Sequence, residues 1–382
     1  MNIPFHSKLP NVKTTIFTVI GNLATECQAI NLSQGFPNFN TSKKLIDLVN
    51  TAMKKGNNQY APMPGIYSLR KAISEKMESL YNITYNPESE ITITAGATQA
   101  IFTAIAASVR KGDEVIVFKP AYDCYEPAIE LFGGVPIAIQ LDPSDFKIDW
   151  QKVKGLITDK TRMVIINTPH NPSGRVLSHA DMLQLEALLK NTNILLLSDE
   201  VYEHIIFDGE KHQTAALFPA LYERAFITAS FGKTFHNTGW KLGYCIAPAE
   251  LTTEFRKVHQ FNVFSVNHPM QVALTDYIKS PENYLELSSF YQDKRDLFLS
   301  LIKDSRFEFV PSKGTYFQLL NFAKITDEYD YDFAIRLIKE KKIASIPISV
   351  FNNDNYDTKN LRFCFAKTDD TLKSAAEILC GI

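Results

Sequence analysis

A series of short apolar runs, each bounded by turn residues, constrains this chain more than any other feature: Ile91 to Thr94, Glu114 to Phe118, Met163 to Asn167, Ile194 to Ser198, Ala225 to Ala229 and Gly243 to Ile246. Runs of that length and composition read as buried strands, and the segments Gln99 to Arg110 and His179 to Lys190 between them carry helical periodicity. Strands alternating with helices predict an open, mostly parallel α/β sheet. Ligands of such sheets collect beyond the strand ends, and Gly96, Asn171, Asp199 and Lys233 all follow strands. No glycine fingerprint of the G-x-G-x-x-G type follows the first strand, which disfavours a nicotinamide dehydrogenase.

At 382 residues the chain is long enough for a large core and a second lobe. After about Asn267 its character changes. A long helical stretch runs to roughly Asp304, strands are expected near Phe307 to Phe309 and Thr315 to Leu320, a helix near Asp332 to Lys341, and final strands near Ile343 to Ile346 and Leu361 to Phe365. These make a smaller α+β lobe. The formal charge of −2 and pI near 6.5 leave no electrostatic footprint for nucleic acid or an anionic membrane. The terminal segment Met1 to Lys8 lacks a signal-peptide core, and no stretch approaches the roughly 20 apolar residues of a membrane span, so a soluble, cytoplasmic protein is expected. The five cysteines, Cys27, Cys124, Cys245, Cys364 and Cys380, are scattered and odd in number, which argues against a disulfide framework and for small buried apolar residues. The histidines show no metal-binding spacing, and no catalytic metal is expected.

Lys233, in Ser230-Phe231-Gly232-Lys233-Thr234, is delivered by an apolar strand to a tight turn where its amine can be held still. A lysine alone is most often a solvated surface charge. Asp199 changes that reading, because a carboxylate after a run of buried aliphatics needs a cationic partner. Pyridoxal phosphate meets both requirements: its aldehyde condenses with a lysine, and its protonated ring nitrogen needs an acid. A phosphate cradle is also present, since Ile91 to Thr94 turns through Ala95-Gly96-Ala97-Thr98 directly into a helix whose N-terminus favours an anion. An ordinary strand-to-helix turn would look the same in isolation, so the conjunction carries the argument.

The chain resembles the fold-type I, class I/II pyridoxal-phosphate aminotransferases, in the branch that holds methionine aminotransferase and the kynurenine/glutamine transaminases. The resemblance runs nearly end to end. It rests on Leu32-Ser33-Gln34-Gly35-Phe36-Pro37, Asn58-Gln59-Tyr60, Thr94 to Thr98, Asn167-Thr168-Pro169-His170-Asn171-Pro172-Ser173-Gly174, Ser198 to Tyr202, Ser230 to Thr234, Gly239-Trp240-Lys241-Leu242-Gly243-Tyr244 and Leu361-Arg362-Phe363-Cys364. Ser173 stands where many relatives carry threonine. Lys241 stands where distant ones carry arginine, which turns a bidentate phosphate contact into a point-charge contact.

The resemblance implies a role for each matched residue. Lys233 would be nucleophile and then proton carrier, and Asp199 would keep the ring nitrogen protonated. Tyr202 and Asn171 would hydrogen-bond the cofactor's phenolic oxygen, and Tyr122 would stack on its ring. Gly96, Ala97, Thr98, Ser230 and Lys241 would hold the phosphate, joined by Tyr60 from a neighbouring subunit, which implies a homodimer with shared sites. Arg362 would bind the substrate α-carboxylate through its guanidinium fork, with Gly35 closing the cleft beside it. The implied domains are residues 39–283 for cofactor binding, and 1–38 with 284–382 for the arm and small lobe. His170 is read as shaping its loop at least as readily as taking part in chemistry.

Dicarboxylate-specific relatives add an arginine in the region matching Gln260 to Pro269, and this chain has none there. Phe17, Phe264 and Tyr60 would instead line an apolar pocket suited to a thioether or a flat ring, although the two phenylalanines read equally as core or interface residues. The expectation is a ping-pong transfer from methionine, or another neutral or aromatic amino acid, to a 2-oxo acid. The alternative is a kynurenine/glutamine transaminase with β-lyase activity on cysteine conjugates. A regulator built on this domain would need an extra DNA-binding module, and only a short arm precedes the Gly35 motif.

Overall fold

The computed structural model describes residues 6–382; the first five residues of the Met1 to Lys8 segment lie outside them. A seven-stranded sheet forms the centre. Its spatial order is Ile91–Thr94, Gly243–Ile246, Ala225–Ser230, Leu195–Asp199, Thr161–Asn167, Glu114–Lys119 and Val135–Gln140. All neighbours pair parallel except Gly243–Ile246, which runs antiparallel to both of its partners. One end of the sheet therefore gathers the exits of the parallel strands and the entrance to Gly243. Register aligns Thr94 and Ser230 with Gly243, and Asn167 with Asp199, along that edge.

The central strands are buried along nearly their whole length, which is why they read as continuous aliphatic runs. One apolar cluster fills the face under the Ala97–Ser108 and Ala249–Asn262 helices, with Ile101, Ile105, Val115, Leu197, Phe226 and Phe255 at its centre. The opposite face joins a larger cluster that continues into the C-terminal part of the chain. The helix His179–Leu189 starts at a reciprocal cap: Ser178 Oγ accepts from Asp181 N at 3.1 Å, and Asp181 Oδ2 accepts from Ser178 N at 2.9 Å.

A second, antiparallel sheet is built from Ile346–Pro347, Asn360–Cys364 and Phe317–Asn321, with Arg362 opposite both Ile346 and Leu319. The helix Ile16–Glu26 packs Ile16 and Ile20 against Ile346, Ile348 and Phe351, and Ile30–Asn31 pairs with Ile343–Ala344. The N-terminal arm and this lobe thus share a core.

Several element boundaries differ from the sequence expectation. The stretch from Asn267 to Asp304 is divided into His268–Tyr277, Glu282–Leu285 and Leu287–Ile302, and the first break falls at Pro281, which cannot continue a hydrogen-bonded helix. Phe307 to Phe309 forms only an isolated bridge, Glu308 to Asn321, with Pro311 just beyond it. The edge strand Val135–Gln140 escaped the sequence reading because Pro136 interrupts it; an edge strand tolerates the missing N–H. The expected strand Ile343 to Ile346 is split between two partners. The helix placed at Asp332 to Lys341 is Asp330–Arg336 followed by a wider π-type turn over Leu337–Lys341.

All five cysteines are free; Cys245 and Cys364 are buried, Cys27 and Cys124 partly so, and Cys380 is exposed, so burial describes fewer of them than expected. Among the described residues no helix is long and apolar enough to cross a membrane.

Candidate active site

A cavity of about 280 Å³ opens where the exit edge of the large sheet meets the small sheet and the Leu32 to Phe36 segment. It is lined by Gly35, Gly96, Ala97, Thr98, Tyr122, Asn171, Asp199, Tyr202, Ser230, Lys233, Lys241, Arg362 and Phe17, along with residues the sequence reading did not single out. Tyr60 and Phe264 are not part of it. They pack edge-on against each other with ring centroids 5.2 Å apart and remain 80% and 48% exposed, a pair of aromatic rings on the surface of the single chain.

Lys233 sits in the single turn Phe231–Thr234 that follows the Ala225–Ser230 strand. The turn is tight enough that a side chain at Gly232 would come within 3.0 Å of Thr238 Cα. Its Nζ donates to Tyr316 Oη at 2.9 Å and to the Gly35 carbonyl at 3.1 Å. Burial, the largest influence, draws its pKa down to about 8.

Asp199 ends its strand 3% exposed. Tyr125 Oη donates to its Oδ2 at 2.5 Å and Val201 N to its Oδ1 at 3.4 Å, and no salt bridge reaches it among the described residues. Burial lifts its pKa to about 6 against those two donors. The cationic partner a buried carboxylate requires is thus not supplied by a neighbouring lysine or arginine side chain.

Arg362 is 1% exposed. Nη1 donates to Asn171 Oδ1 at 2.8 Å and Nη2 to the Ser33 carbonyl at 3.0 Å, while Nε is buried with no partner. Its guanidinium lies 3.9 Å from the centroid of Phe317 and 5.4 Å from that of Phe17. Asn171 is itself held by the chain's fold, its N–H donating to Asn167 Oδ1 at 2.7 Å.

The Gly96 turn has φ 78°, a left-handed conformation that glycine tolerates, and leads directly into the helix starting at Ala97. Gly243 faces it: a side chain there would come within 2.5 Å of the Ala229 carbonyl and 3.0 Å of Ala97 N. Lys241 stands beside the turn, its Nζ about one van der Waals contact (3.5 Å) from where a Gly96 side chain would be. Thr98 Oγ1 and Tyr122 Oη are 3.3 Å apart across the opening.

His170 is buried between Ser173 Oγ, 2.6 Å from Nδ1, and the Pro120 carbonyl, 3.0 Å from Nε2. Because a carbonyl only accepts, Nε2 carries the proton, and the ring pins the Pro120 and Asn171 loops together. It lines no part of the cavity.

Tyr125, Tyr316, Phe317 and Ser33 are the contributors that sequence reading passed over. Tyr125 had a faint signal, three residues after Tyr122; it opens the helix Tyr125–Leu131, with its ring 6.0 Å from that of Tyr122. The others owe their position to tertiary contact alone.

The donor set fits a phosphorylated pyridine aldehyde: an amine on a rigid turn, a buried carboxylate lacking a cation, a glycine-lined helix start beside a lysine, and a buried arginine whose Nε has no partner. A mostly parallel sheet that presents such a donor set at its strand exits is the arrangement of a pyridoxal-phosphate enzyme of the large α/β class. The family model "Aminotransferase class I and II" matches residues 28–379, and the chain belongs to that family, whose members use pyridoxal 5'-phosphate. It is 48% identical to a methionine aminotransferase of Escherichia coli K12 over 98% of this chain and 97% of that protein. It is 33% identical to human kynurenine–oxoglutarate transaminase 3, over 97% and 89%. A crystal structure from E. coli for which a methionine aminotransferase function was identified superposes with TM-score 0.98 at 47% identity, covering 100% of both chains.

Proposed function

We propose that this chain transfers the amino group of methionine, or of another neutral or aromatic amino acid, to a 2-oxo acid in two half-reactions on one cofactor. The observation that carries the reading is Arg362, a buried guanidinium with an unpartnered donor, in the same cavity as Lys233 and Asp199. Similarity to the E. coli methionine aminotransferase supports methionine as donor. Side-chain selectivity follows from the walls: beyond Arg362 the cavity offers Phe17, Phe36, Phe317 and Tyr122, and its only cations among the described residues are Lys233, Lys241 and Arg362. Each has a task already, so a side-chain carboxylate finds no counter-charge.

Bound pyridoxal phosphate supplies an electron sink conjugated to the substrate's α-carbon. The chain's residues do the rest. Arg362 orients the substrate carboxylate, and Asn171 holds Arg362 on one side while reaching toward the cofactor on the other. Lys233, neutral in part at physiological pH, takes and returns a proton at Nζ. Asp199 would hold a cationic ring nitrogen, with Tyr125 fixing the carboxylate. Tyr202 and Asn171 would hydrogen-bond the cofactor's phenolic oxygen, Tyr122 would stack on its ring, and Ser230, Lys241 and the N–H groups of Ala97 and Thr98 would meet the phosphate.

The exposed Tyr60 and Phe264 rings fit a homodimer in which Tyr60 reaches the partner's phosphate site. Residues 39–283 would form the large domain, and 1–38 with 284–382 the small one, in a cytoplasmic enzyme. Single-turnover mixing of the purified protein with methionine, phenylalanine, kynurenine and aspartate tests the reading. A 2-oxo acid formed from methionine, with aspartate slower by about a hundredfold or more, is expected. Pyruvate and thiol from cysteine conjugates, without amino transfer, would replace it with the β-lyase alternative.

A further inference from the structure

Three separate parts of the chain meet at the amine of Lys233. Lys233 comes from the large sheet, Gly35 from the N-terminal arm, and Tyr316 from the turn that precedes the small-sheet strand Phe317–Asn321. Nζ donates to Tyr316 Oη at 2.9 Å and to the Gly35 carbonyl at 3.1 Å, and Tyr316 Oη donates to that same carbonyl at 2.5 Å. The three polar atoms form a closed triangle.

The direction of each bond is fixed by chemistry. A carbonyl accepts only, so Tyr316 spends its single proton on Gly35 and faces Lys233 as an acceptor. Nζ is tetrahedral: one position is its bond to Cε, and two hold the protons donated to Gly35 and Tyr316. One position is left. We propose that Tyr316 is a positioning residue for the amine of Lys233: with the Gly35 carbonyl it forms a fixed rest that leaves a single site on Nζ for the proton being transferred. This rests on the aminotransferase reading above.

The rest is rigid. Tyr316 is fully buried, with its ring edge-on to Tyr202 at 5.3 Å and 5.0 Å from that of Phe317. A lone carbonyl would let the flexible lysine stem swing about one bond, whereas two acceptors define a plane. When the amine is neutral, the open position is its lone pair. The substrate's Cα–H bond breaks, a new N–H bond forms at that position, and the electron pair of the C–H bond stays with the bound substrate. Returning the proton reverses the step, so no further reactant is required.

The acceptor oxygen also favours the ammonium form, opposing the burial that lowers the lysine's pKa to about 8. Replacing Tyr316 by phenylalanine keeps the ring contacts and removes only that oxygen. Tyr291 provides the control. Its ring lies 5.7 Å from that of Tyr316, and its hydroxyl is buried without a partner and makes no hydrogen bond to Lys233.

Two readouts on the full-length protein test the proposal. In the cofactor-free form, the pH dependence of Lys233 acetylation, followed by mass spectrometry, gives the pKa of the amine; Y316F is expected to lower it by about half a unit or more. In the cofactor-loaded form, Y316F is expected to lower kcat about tenfold or more with little change in KM, and to raise the isotope effect with α-deuterated methionine. Y291F should leave all three near wild type. An unchanged lysine pKa and isotope effect in Y316F would overturn the proposal even if kcat fell, and so would equal changes in Y291F. Failure of the underlying reading looks different: wild-type protein would form no 2-oxo acid, while the lysine pKa could still be measured.

Discussion

Arg362 and Asn171 are joined by a hydrogen bond of 2.8 Å across 191 positions of sequence. One belongs to the small antiparallel sheet, the other to the loop after a central strand of the large one. Through this contact the expected carboxylate-binding residue and an expected cofactor-binding residue are oriented together. Asn171 uses its Oδ1 on Arg362 and its backbone N–H on Asn167, so neither side of the cleft fixes its geometry alone.

Arg362→Ala should therefore cost substrate recognition first. Losing a charge-assisted pair to a carboxylate is worth about 2 kcal/mol, or roughly a thirtyfold loss in kcat/KM, carried mainly by KM. Arg362→Lys should recover only part, because an ammonium cannot present the fork. Steady-state kinetics with methionine measures both. Wild-type KM in the alanine variant would move the carboxylate site elsewhere.

Asp199→Asn separates the roles of charge and shape. The folded pKa of Asp199, about 6, lies above that of an unfolded aspartate. The folded chain thus holds the extra proton between those values: this contribution to stability is complete below about pH 4 and lost as pH rises through 6. Above pH 7 the cofactor-free wild type carries a buried anion worth up to roughly 3 kcal/mol of destabilisation, and the asparagine variant does not. In thermal melts of cofactor-free protein, the variant should gain on wild type between pH 5 and pH 8. Added pyridoxal phosphate should stabilise wild type more, and amino transfer by the variant should fall by about a hundredfold or more. A melting difference that stays flat with pH would sink the electrostatic account.

The difference between local and distant causes explains how much could be read in advance. The strands ending at Thr94, Asn167, Asp199 and Ser230 announce themselves because each must be apolar on both faces, and the chemical residues follow them within a few positions. Pro136 hid an edge strand, since the one-sided pairing that tolerates it is not written in the local sequence. Phe264 reads equally as pocket lining or as a core or interface residue from its neighbours in sequence, and the single chain holds it at the surface against Tyr60, a placement no local pattern specifies. Tyr316 and Tyr125 had no local signal comparable to their contacts. A hydrogen bond to Lys233 or Asp199 depends on elements 83 and 74 residues away.

Gly243→Ala tests the cradle. The added methyl group would press on the Ala229 carbonyl at 2.5 Å and on Ala97 N at 3.0 Å, and neither backbone atom can yield without moving the turn. Affinity for pyridoxal phosphate should fall about tenfold or more, read by equilibrium dialysis, while the Ala97–Ser108 helix persists by circular dichroism. Full cofactor retention would mean that the phosphate is not held at this turn.

Acid should destabilise the protein, and the balance of buried groups gives the sign. Burial holds His170, His236 and His259 near pKa 4 and His204 near 3, below the 6.5 of a free histidine. For each, the unfolded chain binds the proton first, so the stabilising contribution is complete above about pH 7 and is lost as pH falls through 6.5 toward 4. Asp199 and Asp330, both raised to about 6, act in the opposite direction over the same interval. Shifts of about 2 to 3.5 units correspond to roughly 3 to 5 kcal/mol per group, and the four histidines outnumber the two carboxylates, so the net effect is a loss of stability. Melting temperature should fall between pH 7 and pH 4.5. His170 is the residue to isolate, because its protonation would place a second N–H against Ser173, whose Oγ already accepts from Arg175 N at 3.2 Å, beside the loop that carries Asn171. His170→Gln should flatten the acid limb of the stability curve, and a limb of unchanged slope would remove His170 from the account.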